Sequence, residues 1–217
     1  MKLFRVVDDF AFTTNHALLA KTKRSAGRWN AEHIPALYSA LCFENCLCEV
    51  GYYKIISPSF NGKSPISILN DIYRRDFFLI EFRCNVEKLR PLHSRDHFSS
   101  LSICHTNEPE LEARRSQYFM LPNKWTQGVG SALSNSGVKG IEVLSARADN
   151  CHNVILFVQN ICAGDIDVEN VTSFRFLPLD HKNVIHEIIK KNFVKHPSKV
   201  ACSIHDKVII VDIAKFN

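Results

Sequence analysis

Residues 27–50 read Gly27-Arg28-Trp29-Asn30-Ala31-Glu32-His33-Ile34-Pro35-Ala36-Leu37-Tyr38-Ser39-Ala40-Leu41-Cys42-Phe43-Glu44-Asn45-Cys46-Leu47-Cys48-Glu49-Val50. Three kinds of local structure are written into this stretch. Ser25 to Asn30 is turn-like, and Ile34 to Ser39 reads as a short strand. Phe43 to Val50 reads as a helix, because Phe43, Leu47 and Val50 fall on one face. Arg28, Tyr38 and Glu49 each have an ordinary structural explanation. An arginine beside a tryptophan is often a surface stacking pair, and a tyrosine ending an apolar strand is usually a core residue with a satisfied hydroxyl. Glu49 is odder. It stands among Leu47, Cys48 and Val50 on a helix that otherwise looks buried, and a carboxylate there must be exposed, paired or functional.

Outward from this stretch, Leu3 to Val7 is short and β-prone and predicts a strand. Residues 11–20 suit a helix, with Thr13, Thr14 or Asn15 as candidate caps. Phe77 to Phe82 is a clear strand, whereas residues 94–116 are polar and give no assignment. Trp125 to Ser136 predicts a helix, since Trp125, Val129 and Leu133 recur at helical spacing and Gly137 supplies a stop. Gly140 to Ser145 predicts a strand that delivers Ser145 at its end. Asn153 to Val158 predicts its antiparallel neighbour across a turn at Asp149-Asn150. In the tail, a helix is expected over 182–193, with Val184, Ile185, Ile188 and Ile189 on one face, and a strand over 207–213. Short strands interleaved irregularly with short helices indicate an α+β fold. The expected organisation is a domain over 1–178 and a helix–strand extension over 179–217 packed on it.

The composition excludes several classes. The chain has 217 residues, 46% apolar and 23% charged, which is ordinary for a globular protein and unlike collagen, coiled coils or disordered chains. The net charge of +5 is spread out, whereas nucleic-acid binders concentrate theirs; no direct nucleic-acid binding is expected. No segment approaches the roughly 18–20 consecutive apolar residues of a membrane span, so no membrane contact is expected. The opening residues are charged at Arg5, Asp8 and Asp9 and do not resemble a secretory leader. A cytoplasmic location and reduced thiols are therefore expected for the eight cysteines, which show no CxxC pair. Phosphate-loop, dinucleotide-fold, HExxH and GxSxG signatures are absent. His93 and His97, or Cys42, Cys46 and Cys48, are weak evidence for a metal, and no metal is expected.

As an ordered set these segments resemble the RES-domain family, named for an Arg, a Glu and a Ser. Leu3-Phe4-Arg5-Val6-Val7 looks like the family's first strand. Gly27-Arg28-Trp29-Asn30 followed by Pro35-Ala36-Leu37-Tyr38 looks like its GRWN…PxxY block, and Cys48-Glu49-Val50 sits where the family has its LEV segment. Gly140 to Arg147, then Asn153 to Phe157, looks like its block with Ser-Ala-Arg. Two departures stand out. Ala31 to Ile34 lacks a glycine often found there, and Leu144 replaces a frequent aromatic.

The resemblance implies an ADP-ribosyltransferase-like split, bent β-core and a toxin of a bacterial toxin–antitoxin pair. It implies breakage of NAD at the nicotinamide–ribose bond, by phosphorolysis or hydrolysis, through an oxocarbenium-like ribose. NAD is then a substrate, inorganic phosphate a possible co-substrate, and no cofactor is implied. The implied catalytic residues are Arg28, Tyr38, Glu49 and Ser145. Arg28, Trp29, Tyr38, Arg147 and Asn153 are the implied NAD-binding set. A carboxylate suits a cationic ribose, and a planar guanidinium fork suits pyrophosphate. The implied partner is an antitoxin with a helix-turn-helix domain. The alternatives are an ADP-ribosyltransferase modifying a protein and an inactive, partner-binding relative.

Overall fold

A computed structural model describes residues 1–20, 26–51, 54, 71–92, 123–145, 151–162, 164–177, 199–204 and 207–212. Its strands are β1 (Lys2–Val7), β2 (Ala36–Ala40), β3 (Phe77–Cys84), β4 (Arg90–Leu92), β5 (Gly140–Leu144), β6 (His152–Phe157), β7 (Ile166–Leu177), β8 (Lys199–Ile204) and β9 (Lys207–Asp212). Its α-helices are α1 (Asn15–Ala20), α2 (Phe43–Gly51) and α3 (Asn123–Asn135). The strands form one sheet in the order β4-β5-β6-β2-β1-β3-β7-β8-β9. Only the β4–β5 pair is parallel among them. The fold is α+β, as the interleaving of elements predicts.

The sheet has a seam. β1 pairs with β3 along its whole length, from Lys2↔Arg83 to Val7↔Phe78, but it meets β2 at the single register pair Phe4↔Ala40. Beside that bridge Arg5 Nη1 donates to the Tyr38 carbonyl at 2.7 Å, so a side chain supplies what the ladder does not. β4-β5-β6-β2 thus forms one block and β1-β3-β7-β8-β9 the other.

Both faces of the sheet are covered. On one face Leu3, Val7, Leu37, Ile80, Phe82, Val154 and Leu156 pack with Leu18 of α1. On the other Ala36, Ile141, Val143, Ile155 and Phe157 pack with Val129 and Leu133 of α3 and with Trp29. The continuous apolar run Val154-Ile155-Leu156-Phe157 serves both layers, as a strand buried on both sides must.

Several expectations shift in detail. The helix expected over 11–20 is broken into a 3₁₀ turn, Phe10–Phe12, and α1. Asp9 caps the turn by accepting from Ala11 N at 2.9 Å. Thr14 accepts from Ala17 N at 3.3 Å, while Asn15 accepts instead from Val168 N of β7 at 2.7 Å. Val158 belongs to a 3₁₀ turn and not to the strand before it. β4, β7 and β8 were not anticipated. The tail strand is present as β9, paired with β8, which pairs with β7. The expected helix at 182–193, the turn at Asp149-Asn150, residues 94–116, His93, His97 and Arg147 lie outside the described residues. No helix among the described residues is long and apolar enough to cross a membrane.

Candidate active site

Glu49 lies near the C-terminal end of α2, half-buried. Its Oε1 accepts two hydrogen bonds, from Ser145 Oγ at 3.0 Å and from Asn153 Nδ2 at 2.7 Å. These donors come from the far end of β5 and the near end of β6. The β5–β6 register, Val143↔Asn153 and Leu144↔His152, brings them together. Ser145 N donates to Cys151 O at 2.7 Å and extends the pairing by one residue.

A residue that the sequence did not single out fixes this arrangement. Asn45 is one helical turn before Glu49, on the same face of α2, and is wholly buried at 0% exposure. Its Nδ2 donates to Asn153 Oδ1 at 2.9 Å and to the His152 carbonyl at 3.1 Å. Both partners are acceptors, so the Asn45 amide has one chemically sensible orientation. Asn153 is then fixed as well: its oxygen faces Asn45 and its NH₂ faces Glu49. A polar pair four residues apart on an apolar helix was the available sequence signal, by the same reasoning that singled out Glu49.

Arg28, Trp29 and Tyr38 form a second group. The Tyr38 hydroxyl accepts from Trp29 N at 2.8 Å and donates to Asn30 Oδ1 at 2.8 Å. Asn30, at 1% exposure, donates in turn to the Ile34 carbonyl at 2.7 Å. Helix α3 clamps the turn from above. Thr126 Oγ1 donates to the Arg28 carbonyl, and Gln127 Nε2 to the Gly27 carbonyl at 2.8 Å. Two glycines are required by close approach. A Cβ on Gly27 would overlap the Tyr38 hydroxyl and Asn30 Oδ1, and one on Gly130 would overlap the Trp29 carbonyl. Trp29 is 3% exposed and belongs to the core under α3. Its backbone N–H, not its ring, makes the polar contact to Tyr38. Arg28 is half-buried, with Nη2 shielded from solvent.

The two groups share a face. Tyr38 is opposite Ile155, and Ala40 is opposite Asn153; side chains two apart on a strand point the same way. Tyr38, Asn153 and, by the β5 register, Ser145 therefore stand on the α3 side of the block β5-β6-β2. Below the seam, burial lowers the Arg5 guanidinium pKa, and Nε of Arg5 is buried with no hydrogen-bond partner. Cys46 of α2 lies against this guanidinium, yet burial pushes its thiol up to about 12. It is therefore a protonated core residue. Among the described residues no group of three or more His, Cys, Asp or Glu side chains could hold a metal ion.

Comparisons with known proteins agree with this architecture. The family model for the RES domain matches residues 2–177, from the start of β1 to the end of β7. No curated protein matches the chain in sequence. Among solved structures, a chain of the M. tuberculosis MbcT–MbcA toxin–antitoxin complex matches at 15% identity with a TM-score of 0.57. The match covers 79% of this chain and 82% of that one. At such identity the likeness speaks for the fold, the ADP-ribosyltransferase-like α+β arrangement. With the family model spanning the sheet from β1 through β7 and every strand that carries a site residue, the chain belongs to the RES-domain family.

Proposed function

We propose that the chain is the toxin of a toxin–antitoxin pair and that it breaks NAD at the nicotinamide–ribose bond, with phosphate or water as acceptor. The observation that carries this reading is the state of Glu49. Two side-chain donors converge on Oε1, which fixes the carboxylate, and among the described residues no hydrogen bond is made to Oε2. Departure of nicotinamide leaves a ribose with cationic character. A carboxylate already held in place stabilises that charge without reorganising during the reaction.

The other residues take roles that their chemistry suits. Arg28 holds the pyrophosphate or the adjoining ribose with its planar fork. Tyr38 offers a ring face to nicotinamide or ribose, with Trp29 backing it from the core. Ser145 and Asn153 orient Glu49. The Ser145 hydroxyl donates to the carboxylate, which makes it an orienting group and not a nucleophile. Arg147 is assigned to a phosphate. NAD is a substrate in this scheme and no cofactor is needed. The proposed site of action is the cytoplasm, where an antitoxin carrying a helix-turn-helix domain restrains the enzyme. That the matched structure is a toxin–antitoxin complex supports an antitoxin partner.

The test is incubation of the protein with NAD, with and without phosphate and cell extract. Nicotinamide with ADP-ribose-1-phosphate identifies phosphorolysis, and nicotinamide with free ADP-ribose identifies hydrolysis. ADP-ribose attached to a protein in the extract would replace this reading with a transferase. No turnover under any condition would leave a partner-binding relative.

A further inference from the structure

Two thiols face each other between the entry of α2 and the start of β6. Cys42 Sγ and Cys151 Sγ are 3.8 Å apart, and both residues are half-buried. The backbone explains the encounter. Ala40 is opposite Asn153, and one step further Leu41 N donates to the His152 carbonyl at 3.2 Å. Beyond that bond the chain bends into α2, with Cys46 N donating to the Cys42 carbonyl at 3.3 Å, and Cys151 immediately precedes β6, so the two cysteines meet where the ladder ends. The sulfurs, 3.8 Å apart, must approach to the roughly 2.0 Å of a disulfide bond. Rotation of the two side chains can close the gap, with the main chain left in its register.

The other cysteines whose side chains are described differ in accessibility. Cys46, Cys48 and Cys84 are buried, and Cys162 is exposed. Cys42 and Cys151 combine a nearby second sulfur with access from solvent. Cys151 also sits in the ladder next to Ser145, whose N–H its carbonyl accepts.

We infer that Cys42 and Cys151 are an oxidisable pair, a disulfide-forming modification site that reacts with a small peroxide. In the first step the thiolate of one cysteine attacks a peroxide oxygen. The O–O bond breaks, a sulfenic acid forms, and the leaving hydroxide takes a proton to become water. In the second step the other thiol, losing its proton, attacks the sulfenic sulfur and expels a second water. Two thiols and one hydrogen peroxide give one disulfide and two waters. The product staples the start of α2 to the start of β6, beside the strand position of Asn153. The inference is independent of the reaction assigned to Glu49.

The test uses the full chain, reduced and native, exposed to a few equivalents of hydrogen peroxide. The expected result is an intact mass lower by two hydrogens and a Cys42–Cys151 cross-linked peptide after digestion with free thiols blocked. Dithiothreitol should reverse both. Cys42→Ser and Cys151→Ser should each abolish the cross-link, while Cys162→Ser leaves it. Addition of oxygen without a cross-link, a disulfide between other cysteines, or a cross-link that forms only in denaturant would overturn the inference. The wild-type peptide map decides these outcomes even if a serine variant folds poorly.

Discussion

Glu49→Gln keeps the size of the side chain and most of its hydrogen-bonding shape while removing the charge. If Glu49 stabilises a cationic ribose, NAD turnover should fall by about 10²- to 10³-fold, with the unfolding transition close to wild type. A folded variant within about threefold of wild type would take Glu49 out of the chemical step. Arg28→Lys asks a different question, because lysine keeps the charge and loses the fork. It should raise KM for NAD more than it lowers kcat; the opposite split would move Arg28 from holding substrate to the chemical step. At this scale the sequence was informative where a residue type clashed with its surroundings. A carboxylate among Leu47, Cys48 and Val50 declares itself. Asn45, one turn earlier on the same apolar helix, carries a weaker form of that signal, since an asparagine there gains its meaning only from its partner. That partner, Asn153, lies 108 residues away in the chain, and only the strand register brings it near.

Gly128 and Gly130 of α3 look interchangeable in sequence and are not. A Cβ on Gly128 meets nothing within 4 Å, whereas one on Gly130 would enter the Trp29 carbonyl. That carbonyl is backbone and cannot swing aside. Gly130→Ala should therefore destabilise by on the order of 3 kcal/mol and weaken NAD binding by displacing the turn at Arg28. Gly128→Ala should be neutral or stabilising by up to about 1 kcal/mol. Thermal unfolding of the two variants side by side checks the contrast.

Strands with strong apolar runs were legible, as at Phe77 to Phe82 and Asn153 to Phe157. The longest strand was not. In β7 the polar run Glu169-Asn170 coincides with a bulge, where Phe82 pairs with Val168 but Glu81 pairs with Asn170. The extra residue leaves the even-numbered positions buried but turns them to the other face of the sheet: Ile166 stands opposite Cys84, whereas Thr172 and Phe174 stand opposite Leu79 and Phe77. A period-two apolar pattern broken midway by Asn170 and Thr172 does not read as one strand. β4 is only three residues long, too short for periodicity to show.

At the scale of the whole molecule, the family match ends where β7 ends, yet the sheet continues. Arg175, Phe176 and Leu177 pair with Ser203, Cys202 and Ala201 of β8, and β9 closes that edge. Deleting residues 180–217 would strip β7 of a neighbour and leave an unpaired strand edge, a template for aggregation. The truncated protein should be insoluble or lack a cooperative transition, as light scattering and calorimetry would report. A soluble truncation with normal NAD turnover would instead assign the tail to partner docking. The seam between β1 and β2 has its own consequence, which deuterated water would reveal. Successive amides of β1 address alternate neighbours, one row paired with β3 along its full length, the other looking toward β2 across a single bridge. Isotope exchange followed amide by amide should therefore sort one strand into two populations. The row toward β2 should lose its protons well before the row toward β3, so that a single six-residue strand records both the slow and the fast breathing of the protein.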